Sequence, residues 1–238
     1  MNDEPKTILR HIIDLREVLV KSSFAILICM IISFLFIDEI FDFISLPLIK
    51  IINKSGKDCK IIYTSVSEIF STHLKLSFYT ALSVCFPYIT FQIWKFIKPG
   101  LRDSEAKFSK KFLFISAGLF IIGGTFAFCL VIPSVFSVLI NTQTSAQFMP
   151  KISENVSFII VMMISFGMSF QLPIIIYCLN KFKILRLSTI QKLWREVILA
   201  IVVLSAIITP PDAISMAFLA TPLIALYFLS LVICRLLK

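Results

Sequence analysis

Apolar residues along this chain fall into six long blocks, and the shorter segments between them hold most of the charge. The blocks are Val18–Ile37, Leu74–Phe96, Phe112–Ile140, Val156–Leu179, Val197–Ile208 and Ala213–Ile233. None carries an acidic residue at its centre. A helix needs about 20 apolar residues to cross ~30 Å of hydrocarbon. The pattern therefore predicts an all-α membrane protein with six transmembrane helices, forming a single integral-membrane domain over residues 1–238. The fifth block is short and ends at Thr209-Pro210-Pro211-Asp212, where paired prolines force a break. Blocks five and six thus read as a tight hairpin of two short spans, which thin the local bilayer or tilt their neighbours.

Between the blocks the pattern changes character. Asn2–Val20 reads as an amphipathic helix leading into the first span, with Ile8, Ile12, Leu15 and Leu19 at helical spacing. Arg10, Asp14, Glu17 and Lys21 lie opposite them, as on a helix at the membrane interface. The segment Asp38–His73 is semi-apolar around Pro47 and predicts short helices over the mouth of the bundle, with Gly56-Lys57-Asp58 as a turn. Asn141–Asn155 is polar and loosely patterned. Pro87, Pro133, Pro173 and Pro222 fall inside spans and bend them, so the expected bundle is curved. No internal repeat is visible, against the inverted halves of many carriers.

Charge assigns the sides. Most of the 23 basic residues cluster in alternate connecting segments, around Lys6–Lys21, Lys95–Lys111, Lys181–Arg195 and Arg235–Lys238. Lys50, Lys54, Lys57, Lys60, Lys75 and Lys151 remain for the other side. The positive-inside rule then puts both termini in the cytoplasm. Basic loops beside anionic lipid account for the net charge of +9, and no nucleic acid is needed. The polar Met1–Glu17 stretch does not read as a cleavable signal. With a hydrophobic fraction of 58%, no polar stretch is long enough to enclose a soluble core. Of the six Cys, only Cys59 lies in an outer loop, so no intrachain pair is expected there. No CxxC motif exists and only His11 and His73 are present, which argues against a metal site or other cofactor.

Ion-coupled carriers mark their pathway with ionisable residues inside the membrane. Here Lys21, Lys75 and Lys95 sit near span ends, where snorkelling explains them. The one strongly polar side chain deep in a span is Gln171, in Ser165-Phe166-Gly167-Met168-Ser169-Phe170-Gln171-Leu172-Pro173. It is read either as a packing group or as a contact for a partner helix. Nothing resembles a nucleophile–base pair or a phosphate loop, so no enzyme is expected. Charged features gather instead in His11-Ile12-Ile13-Asp14-Leu15-Arg16 and in Phe96-Ile97-Lys98-Pro99-Gly100-Leu101-Arg102-Asp103-Ser104-Glu105.

At these residues the chain resembles the TatC family, the large subunit of the twin-arginine protein translocase. His-x-x-Asp-Leu-Arg is similar to that family's His-Leu-x-Glu-Leu-Arg. The likeness continues through Pro47-Leu48, Phe91–Leu101 with Glu105, Ser165-Phe166-Gly167 with Phe170 and Pro173, and Thr209-Pro210-Pro211-Asp212. Two positions depart from the family's usual Glu: Asp14 and Gln171. The resemblance implies a receptor in the bacterial inner (cytoplasmic) membrane for signal peptides carrying two arginines. Asp14, Arg16, Phe96, Pro99, Leu101 and Glu105 map onto the peptide-binding region. Gln171, Thr209, Asp212, Ser215 and Met216 map onto the contacts with small single-span partners of the TatA and TatB type, and Pro47, Pro210 and Pro211 onto structural positions. It further implies an oligomer driven by the proton-motive force. The physics agrees, because carboxylates read a guanidinium through charge-assisted, often bidentate bonds that an ammonium cannot match.

Two other functions fit a six-span protein. A secondary transporter for a small solute requires a midplane site with a charged residue or broken helices. A membrane assembly scaffold requires no peptide binding at all. The orientation is testable first. Cysteines introduced across Asn141–Asn155, in a chain whose Cys59 is replaced by Ser, should react with a membrane-impermeant maleimide from outside the cell. Labelling only after the membrane is opened would reverse the topology.

Overall fold

The computed structural model describes residues 8–54, 66–97, 109–142, 151–181, 187–208 and 213–236. All of the long elements are helices: α1 (Ile8–Leu35), α2 (Ile37–Lys54), α3 (Val66–Ile97), α4 (Ser109–Phe126), α5 (Ile132–Thr142), α6 (Ile152–Ser169), α7 (Leu172–Lys181), α8 (Leu187–Lys192), α9 (Trp194–Ile208) and α10 (Ala213–Leu236). A π-helical turn, Ala127–Val131, joins α4 to α5. Five stretches are long and apolar enough to cross a membrane: Ile12–Leu35, Ser67–Phe96, Phe112–Val138, Ile152–Lys181 and Met216–Leu236. The expected fifth span lies within α9, which has 15 residues. At 1.5 Å per residue that is only ~22 Å, short of the hydrocarbon thickness.

The spans form a row of neighbours. α1 packs chiefly on α3, α3 on α4 and α6, and α4 on α6, while α7 packs on α10 and α10 on α9. The first span is a barely covered end of that row: 6% of it is buried, against 44% of the last. Ile12, Leu15 and Leu19 stay exposed, and the interfacial stretch continues into the span as one helix. The core is apolar and includes Leu48, Leu76, Ile132, Ile159, Met162, Phe166 and Leu219.

Several boundaries differ from the sequence expectation, each for a local reason. The second span starts at Ser67 rather than Leu74, within a helix that begins at Val66. Its polar start stays helical with the hydroxyls satisfied internally: Ser71 and Thr72 donate to the carbonyls of Ser67 (2.9 Å) and Glu68 (2.7 Å) one turn back. Ser153 at the start of α6 also donates to the Glu68 carboxylate. Instead of short helices, one 18-residue helix, α2, carries Asp38 and Glu39 in its first turn, where negative charge favours a helix start. Pro47 is buried within it, beside the fully buried Leu48. Gly56-Lys57-Asp58 and Cys59 lie outside the described residues.

Pro133 and Pro173 each disturb a span. Before Pro133 the backbone loosens into the π turn, where Ile132 N–H bonds Ala127 O. Phe128 of that turn stacks on Phe43 of α2, centroids 5.1 Å apart. Pro173 cannot donate to its i−4 carbonyl, and the fourth span breaks into α6 and α7 at Phe170-Gln171.

α4 and α6 approach closely at two glycines. A Cβ at Gly123 would sit 2.8 Å from Phe166 O, and one at Gly167 2.7 Å from the Phe120 ring. Small residues at such crossings let helices pack where lipid offers no hydrophobic drive. Gly124, one residue on, would meet nothing nearer than Met163 O at 3.8 Å. Gly123→Ala should therefore cost about 1–3 kcal/mol by overpacking. Gly124→Ala should be neutral or gain up to about 1 kcal/mol of helix propensity. Thermal unfolding in detergent checks the pair, and equal losses at both positions would contradict the close contact.

Candidate functional site

Two grooves open along α3. The first lies between α1 and the end of α3, with a volume of about 160 Å³, lined by Asp14, Glu17, Val18, Lys21, Gln92, Lys95 and Phe96. Helical spacing explains the α1 side: positions 14, 17, 18 and 21 fall on one stripe. On the α3 side Gln92 and Lys95 are one turn apart. Lys21 donates to the Glu17 carboxylate across one helical turn. Gln92 is buried and donates from Nε2 to Tyr88 Oη at 2.6 Å, which fixes one wall. On the neighbouring face of α3, Trp94 stacks on Phe112 of α4, centroids 5.7 Å apart and rings within 8° of parallel. The groove thus joins the Phe96 ring and the hydrogen-bonded Gln92 amide to charged rims, two carboxylates against two ammoniums.

The second groove has a volume of about 340 Å³ and a mostly apolar lining that includes Phe86, Ile93, Trp94, Ile175 and Leu179. Its polar floor is Gln171 with Ser116. Ser116 donates its hydroxyl to Gln171 Oε1 at 2.6 Å, and Gln171 Nε2 donates to Ser116 O at 2.9 Å. The amide at the broken helix is therefore paired within the chain, bridging the α6–α7 break to α4. It lies in that break, so its side chain secures the point where Pro173 disrupts the backbone ladder.

The structure brings Asp14 and Phe96 to one groove. Arg16 is exposed and absent from the groove lining. Met216 is half-buried at the start of α10, and Ser215 is part of the same helix. Pro99, Leu101, Glu105, Thr209, Pro210, Pro211 and Asp212 lie outside the described residues. Sequence reasoning missed Glu17, Lys21, Gln92 and Lys95 as groove residues, and Ser116 as the partner of Gln171. The i, i+3, i+7 spacing of Asp14, Glu17 and Lys21 was the available signal for the first set. Nothing in the sequence signals Ser116. Among the described residues no group of three or more His, Cys, Asp or Glu is placed to hold a metal ion.

A family model described as Sec-independent protein translocase protein (TatC) matches residues 10–222. The chain belongs to the TatC family. A Rickettsia prowazekii relative described as Sec-independent protein translocase protein TatC is 34% identical over 230 residues, covering 94% of this chain and 91% of its own length. A TatC relative from Helicobacter pylori is 34% identical over 227 residues, covering 94% and 86%. A crystal structure of a twin-arginine translocase receptor, TatC, superposes with a TM-score of 0.86 at 29% identity, covering 95% of this chain and 98% of that one.

The Ser116–Gln171 pair yields a direct expectation. Gln171→Leu should insert normally, because an apolar residue costs nothing in lipid, yet lose roughly 1 kcal/mol of stability with its interhelical bonds. Ser116→Ala should lose a similar amount, and the double variant less than the sum. Strict additivity in detergent unfolding would refute the coupling.

Proposed function

We infer that this chain is the receptor and core subunit of a twin-arginine translocase, binding signal peptides that carry consecutive arginines. The observation that carries the reading is the groove that joins Asp14 to Phe96, in a chain of the TatC family. A carboxylate and an aromatic wall are the groups that hold a planar guanidinium, by forked hydrogen bonds and by stacking. Phe96 leads directly into the segment bearing Pro99, Leu101 and Glu105. Glu105 is proposed as a further carboxylate at the same end of the bundle.

The finer reading follows from the basic clusters and from the family. Both termini face the cytoplasm of a bacterial inner membrane. The short α9 with α10 supplies the fifth and sixth spans. The kinked row of helices forms a curved wall. Single-span subunits of the TatA and TatB type dock along α9 and α10 near Thr209, Asp212, Ser215 and Met216, and the working unit is an oligomer. Translocation draws on the proton-motive force, and folded cargo crosses with the partners. The paired Gln171 has no charge to offer a proton, which disfavours a proton-coupled carrier of small solutes at this position.

A signal peptide with a photo-crosslinker beside its arginine pair tests the reading. Losing one hydrogen bond to a charged group, about 1.5–3 kcal/mol, corresponds to roughly tenfold or more in affinity. Glu105→Ala should lower crosslinking by that order, Asp14→Ala should act in the same direction, and Glu105→Gln should keep part of the binding. Undiminished crosslinking in Glu105→Ala, with equal competition from a Lys-Lys peptide, would make Glu105 a solvated loop acid.

A further inference from the structure

The groove between α1 and α3 already holds a cation. Lys21 Nζ donates to Glu17 Oε1, and both side chains remain about half exposed, 46% and 56%. Asp14 and Glu17 stand one turn apart on the same face of α1, where side chains three apart are neighbours. The lining carries two fixed-length carboxylates, Asp14 and Glu17, and two long flexible ammoniums, Lys21 and Lys95. An incoming arginine therefore has to compete with the resident lysine for the Glu17 carboxylate.

Lysine is the partner suited to leaving. Its ammonium is a compact point charge on a four-carbon stem, whereas a guanidinium offers a planar fork that matches a carboxylate with two parallel bonds. An exposed i, i+4 pair is weakly held, because solvent screens it and ordering two long side chains costs entropy. We propose that Glu17 is a second arginine-reading carboxylate of this groove, with Lys21 as its resident placeholder, displaced by the guanidinium it imitates. The inference rests on the groove being the site of twin-arginine binding. It adds selectivity: a peptide lysine would replace like with like and gain nothing from the exchange, while an arginine gains a second bond.

The test is a double-mutant cycle on the full chain in lipid nanodiscs, with an Arg-Arg signal peptide as probe and a Lys-Lys peptide as its control. Glu17→Gln should weaken Arg-Arg binding several-fold and narrow the preference over Lys-Lys. Lys21→Met should strengthen Arg-Arg binding several-fold. In the Glu17→Gln background, Lys21→Met should change nothing, because the site it vacates is gone. A purely structural ion pair would weaken binding in both single variants, which overturns the inference. So does equal strengthening by Lys21→Met in both backgrounds, since that is bulk charge. Glu105→Ala serves as the reference arm. If it weakens binding while Glu17→Gln does not, Glu17 is excluded and the parent reading stands. If neither variant changes binding, the parent reading falls and this inference with it.

Discussion

Hydrocarbon offers the backbone no hydrogen-bond partner, and that constraint shapes everything else in this structure. Each peptide group must be satisfied within the protein. The described spans are therefore helical apart from the break at Phe170-Gln171, and many hydroxyls inside them bond back to their own helix. Ser77 and Ser230 donate to His73 O (2.9 Å) and Leu226 O (2.6 Å), one turn back. Where proline breaks the ladder, a local compensation appears: a π turn before Pro133, and the Ser116–Gln171 pair beside Pro173. Tyr227, fully buried, reaches Ile190 O at 2.8 Å and ties α10 to α8.

The same solvent removes the hydrophobic drive between helices, so packing rests on close approach and shape. Gly123 and Gly167 let α4 and α6 touch, and the Phe120 ring that fills the gap stacks on Phe86 of α3 at 3.8 Å. These contacts hold α3, α4 and α6 as a platform, while α1 lies against α3 alone on most of its length. The charged groove opens at the end of the row, where Glu17 and Lys21 stay about half exposed. The groove of Asp14, Glu17, Gln92 and Phe96 lies there, and the apolar groove floored by Gln171 runs along the same α3.

The sequence made the helical class and most of the spans legible, because long apolar blocks have few alternatives in length and chemistry. The helical residues before Leu74 were hidden, since Ser, Thr and Glu there look like loop until the Ser71 and Thr72 back-bonds and the Ser153–Glu68 contact are seen. The extent of α2 was hidden too, as Pro47 inside a helix reads as a break. The family pattern singled out Asp14 and Phe96, and the groove they share became visible only once α1 packed on α3. Glu17 was visible on the polar stripe of α1, yet its place in the groove depends on α3 packing opposite, and no periodicity states which helix is the neighbour. Gln171 was singled out by its isolation in the sequence, and it acquired a partner only when α4 brought Ser116 across.

The central claim is that this groove reads a pair of guanidiniums rather than positive charge in general. The direct measurement is equilibrium binding of an Arg-Arg and a Lys-Lys signal peptide to the wild-type protein in nanodiscs, across a range of salt. The account predicts tighter binding of the Arg-Arg peptide by at least roughly tenfold, the value of one forked charged bond. Affinity should also fall as salt screens the half-exposed carboxylates. Equal affinity for the two peptides, or binding indifferent to salt, would contradict it.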